Sequence, residues 1–225
     1  MKRFALPILY GVLAAIVVGA LAFKIFQPVQ VLPRVRLAPG YAMLDQNGDR
    51  LTNESVRGSF VLYTFTYTRC ETDACAQIDE TMLAVQESLD ALELGGIPLR
   101  LVTISFDPAH DTPTDLAAYA GQIGADPAVW QFATHSNPDL LKTIIGGGFE
   151  VYYTPDEQGG YTFDPTFVLV DGLGIIRGEY RYQTIAPDTD RITRHINVLA
   201  EEAHHSTGAA TVAYEAAHLF LCYAP

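Results

Sequence analysis

Basic residues are scarce in this chain of 225 residues: Lys and Arg number 14 against 26 Asp and Glu, a formal net charge of −12. Such an acidic protein, without a basic cluster, is a poor binder of nucleic acid phosphates. Cysteine is also rare, and 3 cysteines are too few for a disulfide-stapled scaffold or a zinc site of cysteine alone. Charged residues make up only 18% and apolar residues 49%, a composition that excludes a disordered chain.

A long stretch without charged side chains lies at the start of the chain. Residues 4–23 (FALPILYGVLAAIVVGALAF) would span about 30 Å as a helix, which is the thickness of a bilayer core. Lys2 and Arg3 precede the stretch, as expected when the N-terminus stays in the cytoplasm. The sequence predicts a transmembrane anchor over residues 1–27, with the rest of the chain on the extracytoplasmic, periplasmic side. A cleaved signal peptide is the alternative, because residues 20–22 (ALA) resemble a cleavage site.

Prolines and glycines divide the remainder of the chain. Residues 28–40 contain three prolines and no helical period, which indicates an extended linker. Residues 41–203 alternate strand-like and helix-like segments and form one predicted domain. This alternation predicts an α/β fold, in which a mixed sheet carries helices on both faces. Residues 204–225 form a C-terminal tail, with an extra apolar helix after Gly208.

Short patterns predict the elements of that domain. The Asn-Gly pair at residues 47–48 favours a hairpin turn, and β-branched and aromatic runs favour buried strands. One helix begins with Thr112 as its cap and Pro113 in its first turn. The predicted strands are 59–66, 99–106, 149–153, 166–170 and 175–180, and the predicted helices are 79–94, 112–123, 140–145 and 188–203.

Two of the cysteines, Cys70 and Cys75, follow the first long predicted strand and precede a helix. The carboxyl end of a strand is where α/β sheets place reactive groups, and a helix N-terminus stabilises a thiolate. Two thiols at this spacing can close a disulfide or bind a soft metal such as Cu(I). A structural disulfide and two inert buried thiols are the alternatives that the residues leave open.

The segment around the cysteines, YTFTYTRCETDAC at residues 63–75, resembles the metal-binding loop of the Sco/SenC family. LVTISFDPAHDTP at residues 101–113 is similar to the family's second-strand signature, and the resemblance covers most of residues 39–200. It implies a thioredoxin-like fold behind a single membrane anchor. It also implies that two cysteines and one histidine bind copper for the dinuclear copper centre of cytochrome oxidase, although some members look more like thiol–disulfide reductases.

The chain departs from the family pattern at two places in the site. Four residues separate Cys70 from Cys75, where the family has three. The segment that should carry the family's ligand histidine, residues 161–170, contains no histidine, and Pro165 precedes the late strand instead. Pro165 resembles the cis-proline that packs against the active-site disulfide of thioredoxins, so we expect it to shape the site; an ordinary strand-entry proline is the alternative. His110 is the body histidine best placed to complete a copper site, and a solvated loop histidine is the alternative.

The tail carries the remaining candidate ligands. His204, His205, His218 and Cys222 could form or complete a metal site. The alternative is a helix that docks an apolar face on the domain or on a partner, and the predicted face consists of Val212, Ala216, Leu219 and Phe220.

These observations predict a membrane-anchored protein that assists copper-site assembly in a respiratory oxidase, as a copper carrier or as a dithiol reductant through Cys70 and Cys75. If it is an enzyme, it is a thiol–disulfide oxidoreductase in which Cys70 attacks and Cys75 resolves. The alternative is a non-catalytic accessory subunit of a membrane electron-transfer complex, with a static disulfide. The predicted partners are the membrane and a respiratory oxidase or other subunits of such a complex, and nucleic acid is excluded.

Overall fold

The structure is a computed structural model that describes residues 2–26, 30–181, 189–206, 208 and 210–220. Its helices are α1 (Lys2–Phe26), α2 (Asp73–Glu87), α3 (Pro113–Ile123), α4 (Pro138–Lys142), α5 (Thr189–His205) and α6 (Ala210–Phe220). Its strands are β1 (Arg36–Leu37), β2 (Ala42–Asp45), β3 (Arg50–Thr52), β4 (Phe60–Thr66), β5 (Leu99–Ser105), β6 (Trp130–Thr134), β7 (Tyr153–Pro155), β8 (Tyr161–Phe163), β9 (Thr166–Val170) and β10 (Ile175–Arg181). A 3-10 turn (Leu89–Ala91) follows α2, and a π-helical turn (Thr143–Gly148) follows α4.

Eight strands form one mixed sheet in the order β1-β10-β9-β4-β5-β6-β2-β3. The strands β4, β5 and β6 are parallel neighbours, whereas β9 runs antiparallel to both β4 and β10. β4 lies near the middle of the sheet, and all 7 of its residues are buried. The predicted α/β fold with a mixed sheet is therefore confirmed.

The two faces of the sheet are covered by different elements. Side chains alternate along β4, so that Phe60 and Leu62 join one core while Val61, Tyr63 and Phe65 join the other. The first core is completed by apolar side chains of α2, α3 and α5. The second is completed by α4, the π-helical turn and the β2–β3 hairpin. Helices on both faces were expected from the sequence, and the structure has them.

Most predicted boundaries agree with the structure, but those of the helix predicted over 79–94, which ends at Glu87, and of the strand predicted over 149–153 do not. The β2–β3 hairpin turns at Asn47-Gly48, and Thr112 caps α3 in a capping box with Asp115. Helix α2, however, begins at Asp73 and not at residue 79, because Thr72 is its N-cap and the cysteine loop is short. The predicted strand at 149–153 is wrong. The chain becomes extended only at β7, which pairs with β8 in a separate two-stranded ribbon.

Part of the predicted linker packs against the sheet. Val31 and Leu32 are 0% and 1% exposed, and β1 pairs with the outer edge of β10. An edge strand leaves unpaired backbone groups, and β1 supplies partners for those of β10. The extended conformation was predicted, but its burial was not, because three prolines in a short stretch gave no sign of a partner strand.

A buried arginine joins this segment to the end of the domain. Arg177 in β10 is 4% exposed and forms ion pairs with Asp171 (3.0 Å) and Glu202 (2.6 Å). It also donates hydrogen bonds to the backbone carbonyl oxygens of Leu32 (2.7 Å) and Pro33 (3.1 Å). We call these five residues the Arg177 network. All three nitrogens of the guanidinium have acceptors within it, as a buried charge requires.

Helix α6 lies beside the Arg177 network. Glu215 pairs with Arg34 at 2.9 Å, and Nε2 of His218 lies 2.9 Å from a carboxylate oxygen of Glu202. Ala217 is buried while Val212 is 74% exposed, so Val212 does not pack on the domain. The side chains of Ala216, Leu219 and Phe220 lie outside the described part of the chain, and a face that docks on a partner stays a prediction. Cys222 lies outside the described residues.

The N-terminal segment forms a helix, as predicted. The side chains of residues 7–19 in α1 are exposed. Within the part of the chain that the structure describes, however, no helix meets the combined length and hydropathy needed to cross a membrane. The transmembrane anchor therefore stays a prediction from the sequence.

Candidate functional site: a disulfide at the end of the central strand

The two cysteines lie where the central strand gives way to a helix. β4 ends at Thr66, Cys70 lies in the loop that follows, and Cys75 lies in the first turn of α2. The structure joins Cys70 and Cys75 by a disulfide, with their Cα atoms 6.1 Å apart. The sequence allowed a disulfide, a metal site or two inert buried thiols for this pair, and the structure has the disulfide.

The two sulfur atoms differ in their surroundings. Cys75 is 2% exposed, and its Sγ accepts a hydrogen bond from the Thr66 hydroxyl at 3.2 Å. Cys70 is partly exposed, and its Sγ accepts from the Thr72 hydroxyl at 3.2 Å. Because an external thiol must reach the sulfur that it attacks, Cys70 is the accessible end of the disulfide.

A second loop, which follows β5, holds the residues just before Cys70. Asp111 is 1% exposed, and its carboxylate accepts hydrogen bonds from the backbone N–H (3.0 Å) and the hydroxyl (2.6 Å) of Thr68. The hydroxyl of Ser105 also donates to Asp111. Asp107 is likewise 1% exposed, and its carboxylate accepts from Arg69 at 2.8 Å. Two buried carboxylates thus fix two consecutive residues of the cysteine loop.

The charged side chains of the cysteine loop and of the loop after β5 stabilise one another. Burial raises the pKa of Asp107, but hydrogen bonds from Arg69 and His110 outweigh it, so the net pKa of Asp107 is lowered. The hydrogen bond to Asp107 in turn raises the pKa of the Arg69 guanidinium. Asp107 is therefore an anion at neutral pH despite its burial.

His110 belongs to this carboxylate cluster. Its Nδ1 lies 2.9 Å from the Asp107 carboxylate and 2.6 Å from a guanidinium nitrogen of Arg69. Across the described residues, no three side chains of His, Cys, Asp or Glu are grouped so that they could hold a metal ion. The structure thus supplies no ligand set in which His110 joins the cysteines. His195 in α5 is 4% exposed and hydrogen-bonded to Tyr180.

Pro165 immediately precedes β9, the strand that pairs with β4, but it is not in the expected conformation. The pairing of β4 with β9 extends as far as Thr64 and Phe167, and the hydroxyl of Thr66, two residues beyond Thr64, contacts Cys75. Pro165 is buried. No cis peptide bond occurs in the described residues, so the expected cis bond before Pro165 is wrong.

Aromatic side chains that the sequence did not single out pack around the same loops. Cys70 packs against the core that contains Phe106 and Tyr67, together with residues of the β7–β8 ribbon. Phe106 stacks on Tyr153 with ring centroids 4.5 Å apart, and burial raises the pKa of Tyr153 to about 12. The sequence offered one sign of this aromatic cluster, since Tyr67 follows β4 and Phe106 follows β5. Their convergence depends on the ribbon, which was not predicted.

Fold and site together define a thioredoxin-like protein, with a disulfide at a strand–helix junction and one accessible sulfur. The sequence profile of the SCO1/SenC family matches residues 30–201, and the chain belongs to this family. Among curated relatives, a SCO1 protein homolog of Bacillus subtilis is 25% identical over 154 residues, which covers 68% of this chain and 78% of the relative. A predicted copper-binding protein of Stutzerimonas stutzeri is 35% identical over 164 residues, covering 68% of this chain and 73% of the relative.

Solved structures of the family have the same fold. A SCO1/SenC family lipoprotein of Bacillus anthracis matches with a TM-score of 0.66 at 21% identity, over 74% of this chain and 96% of that one. BsSco, a member of the Sco family of cytochrome c oxidase assembly proteins in which a disulfide switch was identified, matches with a TM-score of 0.65 at 23% identity, over 76% and 97%. Copper-bound ScoI of Arabidopsis thaliana matches with a TM-score of 0.62 at 19% identity, over 74% and 99%.

Proposed function

We propose that this chain assists the assembly of the copper site of a respiratory oxidase, and that it acts as a dithiol–disulfide reductant through Cys70 and Cys75. The observation that carries the proposal is the Cys70–Cys75 disulfide, in which one sulfur is accessible and the other is buried. Membership of a family that includes oxidase assembly proteins supports the choice of partner.

The proposed reaction is a thiol–disulfide exchange. In the reduced chain, the Cys70 thiolate attacks a disulfide in the partner, forms a mixed disulfide and expels one partner thiolate. The Cys75 thiolate then attacks Cys70 Sγ, which closes the Cys70–Cys75 disulfide and releases the second partner thiolate. Protons from solvent complete the two partner thiols, so two electrons pass to the partner. An external dithiol reductant restores the reduced chain.

Copper, if carried, is cargo, and the described residues complete no site for it. Reduced Cys70 and Cys75 supply two thiolates, which suit Cu(I), but Cu(II) prefers an additional nitrogen ligand. Pro165 stands where the family's histidine is expected, and His110 is engaged with Asp107. The donor set therefore favours the reductant over the carrier, and no step of the proposed reaction uses copper.

We further propose that residues 1–27 are a single-pass membrane anchor, followed by a linker (28–40), an extracytoplasmic domain (41–203) and the tail. The uncharged run at 4–23 behind Lys2 and Arg3 supports this arrangement. A disulfide is typical of an oxidising compartment, which agrees with an extracytoplasmic domain.

Complementation of a strain that lacks the chain tests the function. Oxidase activity and oxidase copper content would be measured with wild type, Cys70→Ser, Cys75→Ser, and the double variant. We expect all three variants to fail. Cys222→Ser, which changes the cysteine outside the pair, is the matched control and should complement fully. Full complementation by the double variant would refute the reductant and favour the accessory subunit with a static disulfide.

A further inference from the structure

Two buried aspartates of the neighbouring loop hold the residues just before Cys70. Asp111 accepts three hydrogen bonds, and two of them come from a single residue, Thr68. Asp107 accepts from Arg69, the next residue along the chain and the one that precedes Cys70. Both carboxylates belong to the loop after β5. The cysteine loop, which follows β4, is therefore also held by the loop of the neighbouring strand.

The burial of two carboxylates is energetically unfavourable, which indicates that their arrangement has a function. Both aspartates are 1% exposed, and burying a carboxylate is unfavourable unless charge-assisted hydrogen bonds compensate it. Neither aspartate is needed to cap α3, the helix that follows their loop, because Thr112 and Asp115 complete its N-terminus. The carboxylates also accept from Ser105 and His110 of their own segment, but their bonds to Thr68 and Arg69 are the ones that reach the loop of the accessible cysteine.

We propose that Asp107 and Asp111 are positioning residues that hold Cys70 against Cys75 and thereby set the equilibrium between disulfide and dithiol. This inference rests on the proposed function, since it assigns a role in the same exchange reaction. Neither aspartate is hydrogen-bonded to a cysteine sulfur; each acts through Thr68 or Arg69.

The direction of the effect follows from loop entropy. Closing the disulfide requires the reduced loop to bring Cys70 to Cys75, and a loop that is already held loses less freedom in doing so. Releasing the tie gives freedom back to the dithiol form alone, because the disulfide restrains the loop in the oxidised form. A released loop therefore favours the dithiol, and the disulfide becomes easier to reduce.

The test is the equilibrium of the full-length protein with a glutathione redox buffer, read by trapping free thiols. Thr68→Val removes one hydrogen bond to Asp111 at nearly constant volume, and Asp111→Asn removes the charge. We expect each to shift the equilibrium constant toward the dithiol by about tenfold, which corresponds to roughly 30 mV. Thr68→Ser keeps the hydroxyl and should restore the wild-type value.

A second buried aspartate provides the matched control. Asp171 is 8% exposed and pairs with Arg177 at the other end of β4, where the turn after β9 meets Gly58. Asp171→Asn should lower the stability and leave the thiol equilibrium unchanged. If Thr68→Val and Asp111→Asn leave the equilibrium within twofold of wild type, or if Asp171→Asn shifts it equally, the positioning role is wrong.

The same measurement separates this inference from the proposed function. A wild-type disulfide that cannot be reduced reversibly would refute the reductant itself, and with it any positioning role. A reversible wild type with unaltered Thr68→Val and Asp111→Asn variants would refute the positioning role alone.

Discussion

Replacing the buried Arg177 by methionine tests whether the Arg177 network holds the first and last segments of the domain together. Methionine fills a similar volume but carries no charge, so Asp171 and Glu202 would stay buried without their cation. The carbonyl oxygens of Leu32 and Pro33 would lose their donor as well. We therefore expect a large loss of stability and early release of the residues that the network holds.

The magnitude follows from the kind of pair that is broken. Removing one partner of a buried ion pair costs about 3–5 kcal/mol, because an uncompensated charge remains in a poorly solvated place. Domains of ordinary size unfold with a free energy of roughly 5–15 kcal/mol, so Arg177→Met should remove a substantial part of it. Arg57 offers a contrasting pair: it binds Glu54 at 3.0 Å, but its side chain is 52% exposed. Arg57→Met should therefore cost less than about 1 kcal/mol.

Urea unfolding of the full-length chain in mild detergent measures both losses, and hydrogen exchange locates them. Amides of β1 and of α6 should exchange faster in Arg177→Met than in wild type, while those of β4 should keep the highest protection. If Arg177→Met costs no more than Arg57→Met, the network does not hold the domain together. Unchanged exchange in β1 would lead to the same conclusion.

Three further predictions concern single positions. Pro165→His should tighten copper binding, because it adds a nitrogen ligand where the family has one; a copper titration read by spin resonance that matches wild type would contradict this. Asp107→Asn should destabilise the protein at pH 7. Because the native pKa of Asp107 is lowered, the difference in stability from wild type should shrink as the pH falls below about 4, as unfolding at pH 7 and pH 3 would show. Gly148→Ala should lower the melting temperature, because the added Cβ would clash with the side chain of Pro39, whereas the Cβ of Gly147→Ala meets no neighbouring atom and should cost less stability.

The sequence predicted those parts of the fold that depend on local patterns. A run of β-branched and aromatic residues identified β4, and the position of Cys70 after it identified the reactive end of the sheet. The start of α2 was missed because no large aliphatic side chain precedes Ile78 in it, so the apolar period appears only from there onward. Helical spacing is visible in a sequence only where a helix faces the core.

The ties between the loops could not be predicted in the same way. Asp111 and Thr68 are 43 residues apart, and they meet because β4 and β5 are adjacent in the sheet. Strand order is a property of the whole fold, and periodicity carries no information about it. The motif that contains Asp107 and Asp111 was visible, but its partner was not. Pro165 shows the opposite case, in which a resemblance predicted a cis bond that the structure does not have.

The burial of Val31 bears on how far the domain can travel from α1. Since α1 ends at Phe26 and the chain is packed again from Val31, only four residues lie between them, and the five Cα–Cα steps from Phe26 to Val31 reach at most about 18 Å. With α1 in a membrane, this tether would keep the domain close to the lipid surface. A partner would then have to present its disulfide within that narrow layer, which favours membrane-bound oxidase subunits over freely diffusing proteins.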